Sequence, residues 1–423
     1  MTVVICMFPQ TYGTRIYGKR FPIETEQQVS AFAEGLAIIT YMKVFILHLV
    51  ASAVGMTQSI PKTVNKNISG IAEEATRFLA RSISTIWVPL GIFWSTEWQA
   101  PEDTVVATIT GWDRLELLRK STFSTSQTMQ NKTLYELAEI VLQDAGLTAE
   151  DYAIDVALQS ITVPWAWFEP VNHREALRTI AEAGMATAYA DRDGVIRIIP
   201  FAASETDPIL EIGPDQYFKA DNPARYGQVA NEVIVETQPL RLVDTAEEVF
   251  RSNEPVTVLA GQTVSLTVFY NEKPVIEAVA SLEGATNTIV QSAIYYGWGA
   301  NITLYNPGAG SENVTVVIGG KLLKVLNKER AVARDETSII DLGVLRYELT
   351  NPLVQTWTMA QQLANLILVT VSSPRRDIDI DWRGNPALEL GDRISSKSGE
   401  FVVIRNELDW AGALRAKLSG RKV

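Results

Sequence analysis

Apolar positions between Thr358 and Val369 recur at three- and four-residue spacing, at Met359, Ala360, Leu363, Ala364 and Ile367. That period predicts a helix with one buried face. Ser372, Ser373 and Pro374 end it, because proline disfavours helical geometry in the residue before it. The period then changes to two. Ile378, Ile380 and Trp382 alternate with Asp377, Asp379 and Asp381, which predicts a half-buried strand with an acidic outer face. Gly384, Asn385 and Pro386 predict a turn, and Leu388, Leu390 and Gly391 the opening of another strand.

Further upstream the same reading gives short strands at 86–88, 92–94 and 105–110, closed by Trp112, Asp113, Arg114 and Leu115. Asn131, Lys132 and Thr133 precede an amphipathic helix carrying Leu134, Leu137, Ala138, Val141 and Leu142, which Gly146 ends. Pro164, Trp165, Trp167 and Pro170 predict a rigid connector. Asn172 is placed to cap a helix with Ala176, Leu177, Ile180 and Ala181 on its inner stripe and Gly184 at its end. Residues 186–189 and 195–199 flank Asp191, Arg192, Asp193 and Gly194, a hairpin pattern. Beyond Pro200, runs at 229–237, 256–259, 263–270, 276–280, 288–292, 301–305 and 314–318 are divided by glycine, proline and asparagine. They predict a sandwich or barrel of its own at about 239–340, inserted between the strand 229–237 and the helix 356–369. Residues 36–56 approach the length of a membrane span, but Lys43 lies inside the run, and a central lysine costs about 2.5–3.5 kcal/mol on insertion. The reading preferred over a span is a buried strand at 41–50 followed by a loop, without stable membrane insertion.

A chain of 423 residues exceeds what one core usually supports, so several domains are expected. With 47% apolar and 20% charged residues it has the composition of a folded, soluble protein. The formal charge of -12 argues against specific nucleic-acid binding, which needs a basic face. The single cysteine, Cys6, excludes an intrachain disulfide framework and fits assembly in a reducing cytosol. Residues 1–10 lack the positive start and apolar run of a cleavable signal.

Reactive chemistry is sparse. Two histidines, His48 and His173, and no Cys-x-x-Cys pair make a zinc site improbable, and His173 reads as a surface or helix-start residue. Gly319, Gly320 and Lys321 lack the rest of a phosphate loop and read as a turn. The Asp191–Gly194 run lacks the closing acid of a calcium loop. Asp377, Asp379 and Asp381 fall on one strand face at about 7 Å spacing, read as a solvated, lumen-facing or seam-facing acidic row rather than an acid pair or cation site. Arg375 and Arg376 stand ready to pair with them. Of the ten tryptophans, Trp298 with Tyr295 and Tyr296 forms the one exposed-looking cluster, a candidate for sugar stacking or protein contact. No catalytic residue, cofactor or metal is expected, and no enzymatic activity.

The run Trp382, Arg383, Gly384, Asn385, Pro386, Leu388, Glu389, Leu390, Gly391, Asp392, behind a helix rich in alanine and leucine, resembles the baseplate-hub or tail-tip hub proteins that cap bacteriophage tail tubes. Two more stretches are similar to that family in the same order: Pro89 to Trp94 with Glu97, Trp98 and Gly111 to Leu115, and Arg174 to Ala183 with Ala188 to Ile198. The resemblance implies an α+β, β-rich fold with two tube-like barrel domains, joined by α/β elements. Its expected divisions are a hub domain at 1–125, a connecting domain at 126–200, a second hub domain at 201–238 and 341–423, and the insertion at 239–340. It also implies a homotrimeric ring that joins the tail tube, or a distal tail protein, to a central spike or tip protein. The chain would then be a virion component, assembled in the host cytoplasm and lining part of the DNA passage, where an acidic wall repels phosphates. The alternative expectation is a carbohydrate- or receptor-binding tail protein that uses the insertion.

Overall fold

A computed structural model of the chain describes residues 2–6, 88–99, 106–200, 207–224, 226–374, 377–411 and 413–422. The expectations for residues 36–56 and for Arg375 and Arg376 lie outside them. Strand outweighs helix, so the fold is α+β and β-rich, as the periodicities predicted. Among the described residues no helix is long and apolar enough to cross a membrane.

The first sheet has the order β1-β3-β2, with β1 at Thr2–Cys6, β2 at Trp94–Gln99 and β3 at Val106–Trp112. Asp113 accepts the Leu115 N–H and so starts a short helix that the pattern did not reveal, α1 (Arg114–Lys120). Next come β4 (Thr122–Phe123) and β5 (Met129–Thr133), then α2 (Leu134–Asp144). Thr133 and Glu136 bond reciprocally at the start of α2, satisfying two otherwise unpaired backbone donors. After β6 (Tyr152–Ile154), the expected connector around Pro164 is instead a strand, β7 (Thr162–Ala166), paired with β5. Both are edge strands of a two-stranded ribbon, the kind of strand in which proline is tolerated.

Then β8 (Val171–Asn172) leads into α3 (His173–Ala183), capped by the Asn172 side chain and ended at Gly184, followed by the hairpin β9 (Ala186–Ala190) and β10 (Ile196–Pro200). Beyond β11 (Leu210–Ile212) and β12 (Tyr217–Asp221), β13 (Glu232–Glu236) is the middle strand of a sheet with β21 (Arg330–Arg334) and β22 (Arg346–Thr350). A second short helix, α4 (Glu336–Leu342), joins β21 to β22. The predicted helix is α5 (Trp357–Val371), and its five apolar positions are all buried. That face packs on Val233, Val235, Ala331 and Ala333 and joins one continuous core with α2, α3, β6 and β10. Each fully buried large side chain there contributes about 1.5–3 kcal/mol.

Between β13 and β21 the chain forms a separate core. Its first layer consists of β14 (Leu240–Arg251), β15 (Val256–Val258), β17 (Val275–Glu283) and β20 (Glu312–Val325). The second has the order β16-β19-β18, from Thr263–Phe269, Gly299–Tyr305 and Ile289–Tyr295. Gly319, Gly320 and Lys321 are not a turn but the interior of β20. A Cβ added at Gly320 would lie 2.4 Å from Val275 Cγ1, so the glycine is there to let β17 close in.

One loop of this module is held by a carboxylate. Glu312 accepts the backbone N–H groups of Thr286, Asn287 and Thr288 and the Thr288 hydroxyl, which lowers its pKa to about 2. Because the folded value is depressed, its stabilisation is complete above the ordinary carboxylate value and fades as pH falls toward about 2. The urea midpoint of Glu312→Gln should therefore lie below that of the native chain at neutral pH, approach it as pH falls through the ordinary carboxylate value and converge with it only at about pH 2 and below. A gap that stays constant across that range would contradict this account.

A third core lies in the six-stranded sheet β11-β24-β25-β26-β23-β12, built from β23 (Ile378–Trp382), β24 (Arg393–Ser396), β25 (Gly399–Trp410) and β26 (Leu414–Lys422) with the two earlier strands. The expected strand at 388–391 is absent, and β24 begins only at Arg393. Asp392 accepts the Glu389 N–H at 2.6 Å, and Gly391 takes a φ of +91°, so the segment is a wound turn.

Candidate functional site

Three stretches far apart in sequence meet at one joint. The β9-β10 hairpin carries Asp191, whose carboxylate accepts the N–H groups of Asp193 and Val195 and pairs with Arg197 at 2.7 Å. This wraps the turn tightly, and the largely covered Arg192 beside it turns to the neighbouring sheet, where its Nε meets Glu389 Oε1 at 2.5 Å. Glu389 belongs to the turn that follows β23, so the hairpin of the central core is tied to the C-terminal sheet. On its other side the hairpin meets Ile92: a Cβ added at Gly194 would lie 3.2 Å from Ile92 Cβ. Nearby, Arg114 stands over the Trp94 ring at 5.5 Å and pairs with Asp151 at 2.6 Å. Strand β2 begins at Trp94 rather than at Ile92, and the apolar pair Ile92 and Phe93 lies outside regular structure.

The turn itself is shaped by Gly384, at φ +82°, where a Cβ would lie 2.9 Å from Ala416 Cβ. Asn385 accepts the Ala387 N–H, which starts the turn at Pro386, and Leu388 is buried below it. Trp382 ends β23 inside the third core. Burial raises the Glu389 carboxyl above its usual value, while Arg192 pulls the other way and Asp392, Asp191 and Asp193 reinforce the rise. The joint is a fitted contact between carboxylates and arginines. Among the described residues no group of three His, Cys, Asp or Glu side chains is arranged to hold a metal ion.

The acidic row is less uniform than its alternation suggested. Asp381 pairs with Arg415, and Asp379 accepts the Ser419 hydroxyl at 2.7 Å, both from β26. Asp377 precedes the strand and is buried. The Arg415 guanidinium holds the Asp381 carboxyl below its usual value.

The aromatic cluster is not exposed as expected. Trp298 is 4% exposed, and its Nε1–H donates to Ser124 O at 2.9 Å. Tyr296 stacks on it at 5.2 Å, and the Tyr295 hydroxyl accepts the Ala280 N–H. With Gly297 N–H donating to Ser126 O, and Thr128 donating to Val275 O, this cluster fastens the inserted module to the segment before α2.

One constellation was missed by sequence reasoning. His173, the first residue of α3, is 2% exposed rather than at the surface. Its Nδ1 lies 2.8 Å from Ser121 Oγ and its Nε2 2.9 Å from Asp144 Oδ2. Serine, histidine and carboxylate in that order form a nucleophilic triad in hydrolases. Here, however, the Ser121 hydroxyl also donates to Leu117 O at 3.0 Å, and the Ser121 N–H is committed to the same carbonyl. Ser121 also closes the C-terminal end of α1, where the helix dipole opposes a developing oxyanion. The trio ties the ends of α1 and α2 to the start of α3. Nothing in the spacing of Ser121, Asp144 and His173 signals this, because the contact is made only by the packing of three helices.

No protein-family model matches the sequence, and no curated protein does. Among solved structures the chain is similar to the 43 kDa tail protein of prophage MuSo2 from Shewanella oneidensis, at 11% identity and a TM-score of 0.44, covering 78% of this chain and 78% of that one. It is similar to the tail protein from Neisseria meningitidis MC58, at 11% identity and a TM-score of 0.45, over 80% of this chain and 81% of that one. It is also similar to a prophage tail protein from Listeria monocytogenes EGD-e, at 8% identity and a TM-score of 0.41, over 79% and 78%.

Proposed function

We propose that the chain is a structural component of a bacteriophage tail, working at the hub position as an oligomeric adaptor between the tail tube and a central spike or tip. The observation that carries this reading is the joint. Of the three stretches that resemble the hub family separately, the hairpin around Arg192 meets both of the others, Ile92 beside Gly194 and Glu389 through Arg192. Their meeting at one place supports reading the resemblance as one structural unit rather than three unrelated turn-and-strand patterns. The residues that the motif supplies are shape-giving and ion-pairing, which suits a part that works through interfaces.

A surface for self-association is available on α5. The helix carries no charged residue from Trp357 to Val371. Its outer face leaves Leu366 46% and Val369 83% exposed, and Ile340 of α4, also 83% exposed, belongs to a helix bonded to the end of α5 through Ser338 and Ser372. A helix meant for water would carry charge on that side. In the proposed ring these side chains meet a neighbouring copy, three copies surround the DNA passage, and the net acidity keeps DNA from adhering.

Negative-stain images and light scattering of the purified chain test this directly. The expected result is a closed ring of copies with a central hole, and conversion by Leu366→Asp with Val369→Asp to single copies that keep the far-ultraviolet circular dichroism of the native chain. A native chain that remains a single copy at micromolar concentration would sink the reading.

A further inference from the structure

The outer face of the sheet β16-β19-β18 is unlike the rest of the molecule. The chain has 49 acidic and 37 basic residues, yet none of these three strands, TVSLTVF, GANITLY and IVQSAIY, carries a charge. Val268, Ala300, Ile302 and Leu304 turn into the module's core, while Ser265, Thr267, Ser292 and Asn301 are exposed. The outward groups are bonded to one another across the strands. Ser265 Oγ lies 3.4 Å from Thr303 Oγ1, Thr267 donates to Asn301 Oδ1 at 2.9 Å, and Asn301 Nδ2 donates to the Tyr296 hydroxyl at 3.3 Å. Rings stand at the same end: Phe269 is 59% exposed, with its centroid 5.0 Å from that of Trp298, on which Tyr296 also stacks.

We propose that this face binds a neutral polysaccharide. A sugar ring offers an apolar C–H face and a rim of hydroxyls, each of which both donates and accepts. The sheet offers an open ring in Phe269 beside hydroxyl and amide side chains with the same dual capacity. Charge decides the class of ligand. An anionic polymer needs lysine or arginine on the face, and would also approach a chain of net charge -12. The cores of protein interfaces are enriched in arginine and methionine as well as in aromatic residues, and these strands hold neither arginine nor methionine; their outward face sets the Phe269 ring and the exposed Ile289 and Ile294 among serine, threonine and asparagine. Buried Trp298 does not touch the ligand. It backs Tyr296 and Phe269, and so holds the platform that does. This inference does not depend on the hub reading, and either can fail without the other.

Electrophoresis of the full chain in native gels containing dextran, galactomannan or hydroxyethyl cellulose, with polygalacturonate as the acidic counterpart, is the test. The expected result is retardation by at least one neutral polymer and none by polygalacturonate. Phe269→Ser and Asn301→Asp should each weaken it about tenfold, the loss of roughly 1.4 kcal/mol, with native melting curves. Thr267→Glu serves the same purpose if either variant fails to fold. Passage unretarded through all three neutral polymers, retardation by polygalacturonate alone, or full retention of binding by folded variants would each overturn the proposal. A change in copy number on Asn301→Asp would do so as well, by making the face a contact between chains.

Discussion

Trp298→Ala should lower the stability of the chain by about 3–5 kcal/mol, the range for removing a buried aromatic side chain, and split its unfolding into two transitions. Trp298 is 4% exposed and donates to Ser124 O, so its removal leaves both a cavity and an unpaired carbonyl at the place where the inserted module rests on the segment before α2. The module has a core separate from that of the helices, so it can survive its own detachment. Urea unfolding followed by far-ultraviolet circular dichroism, together with limited proteolysis near β13 and β21, checks both halves of the expectation. Trp410, 69% exposed, provides the comparison, and Trp410→Ala should change stability by no more than about 0.5 kcal/mol. Equal effects of the two substitutions would remove Trp298 from its role as a fastener.

Gly384→Val should be the most damaging single change in the turn after β23. The φ of +82° at Gly384 adds about 1–3 kcal/mol of backbone strain for any other residue. The side chain would also collide with Ala416, where even a Cβ comes to 2.9 Å, adding about 1–3 kcal/mol of overpacking. Gly391 separates the two contributions. Its φ is +91°, but a Cβ there would meet nothing within 4 Å, so Gly391→Ala should carry the strain alone. If urea midpoints place the two variants together, steric collision is not what the turn depends on. Because this turn presents Glu389 to Arg192, Gly384→Val should also loosen the joint, seen as faster hydrogen exchange in the β9-β10 hairpin.

What was legible in the sequence was whatever a single element decides for itself. The buried stripe of α5, the Asn172 cap of α3 and the alternation of β23 follow from side-chain period and local bonding, and each appears where its pattern lies. The failures have a common cause. Helices α1 and α4 are too short to display a period, and depend on the caps Asp113 and Asp335. Two glycines in β20 look like a turn until the approach of Val275 is known. Pro164 looks like a break until its ribbon partner is known, and Trp298 looks exposed until Ser124, far back in the chain, closes over it. The candidate joint was readable as three patterns but not as one place. Its geometry depends on a salt bridge between Arg192 and Glu389 that no local spacing specifies.

The two ends of the inserted module lie side by side, since Glu236 at the end of β13 is paired with Arg330 at the start of β21. Partners across an antiparallel ladder have Cα atoms only about 5 Å apart, and lengthening a loop adds little closure entropy, about 0.6 kcal/mol per doubling. Whatever is strung between those two neighbours can be exchanged for something larger, smaller or absent without moving a strand of the host sheet. The site is a socket, and what it holds can vary while the frame stays constant.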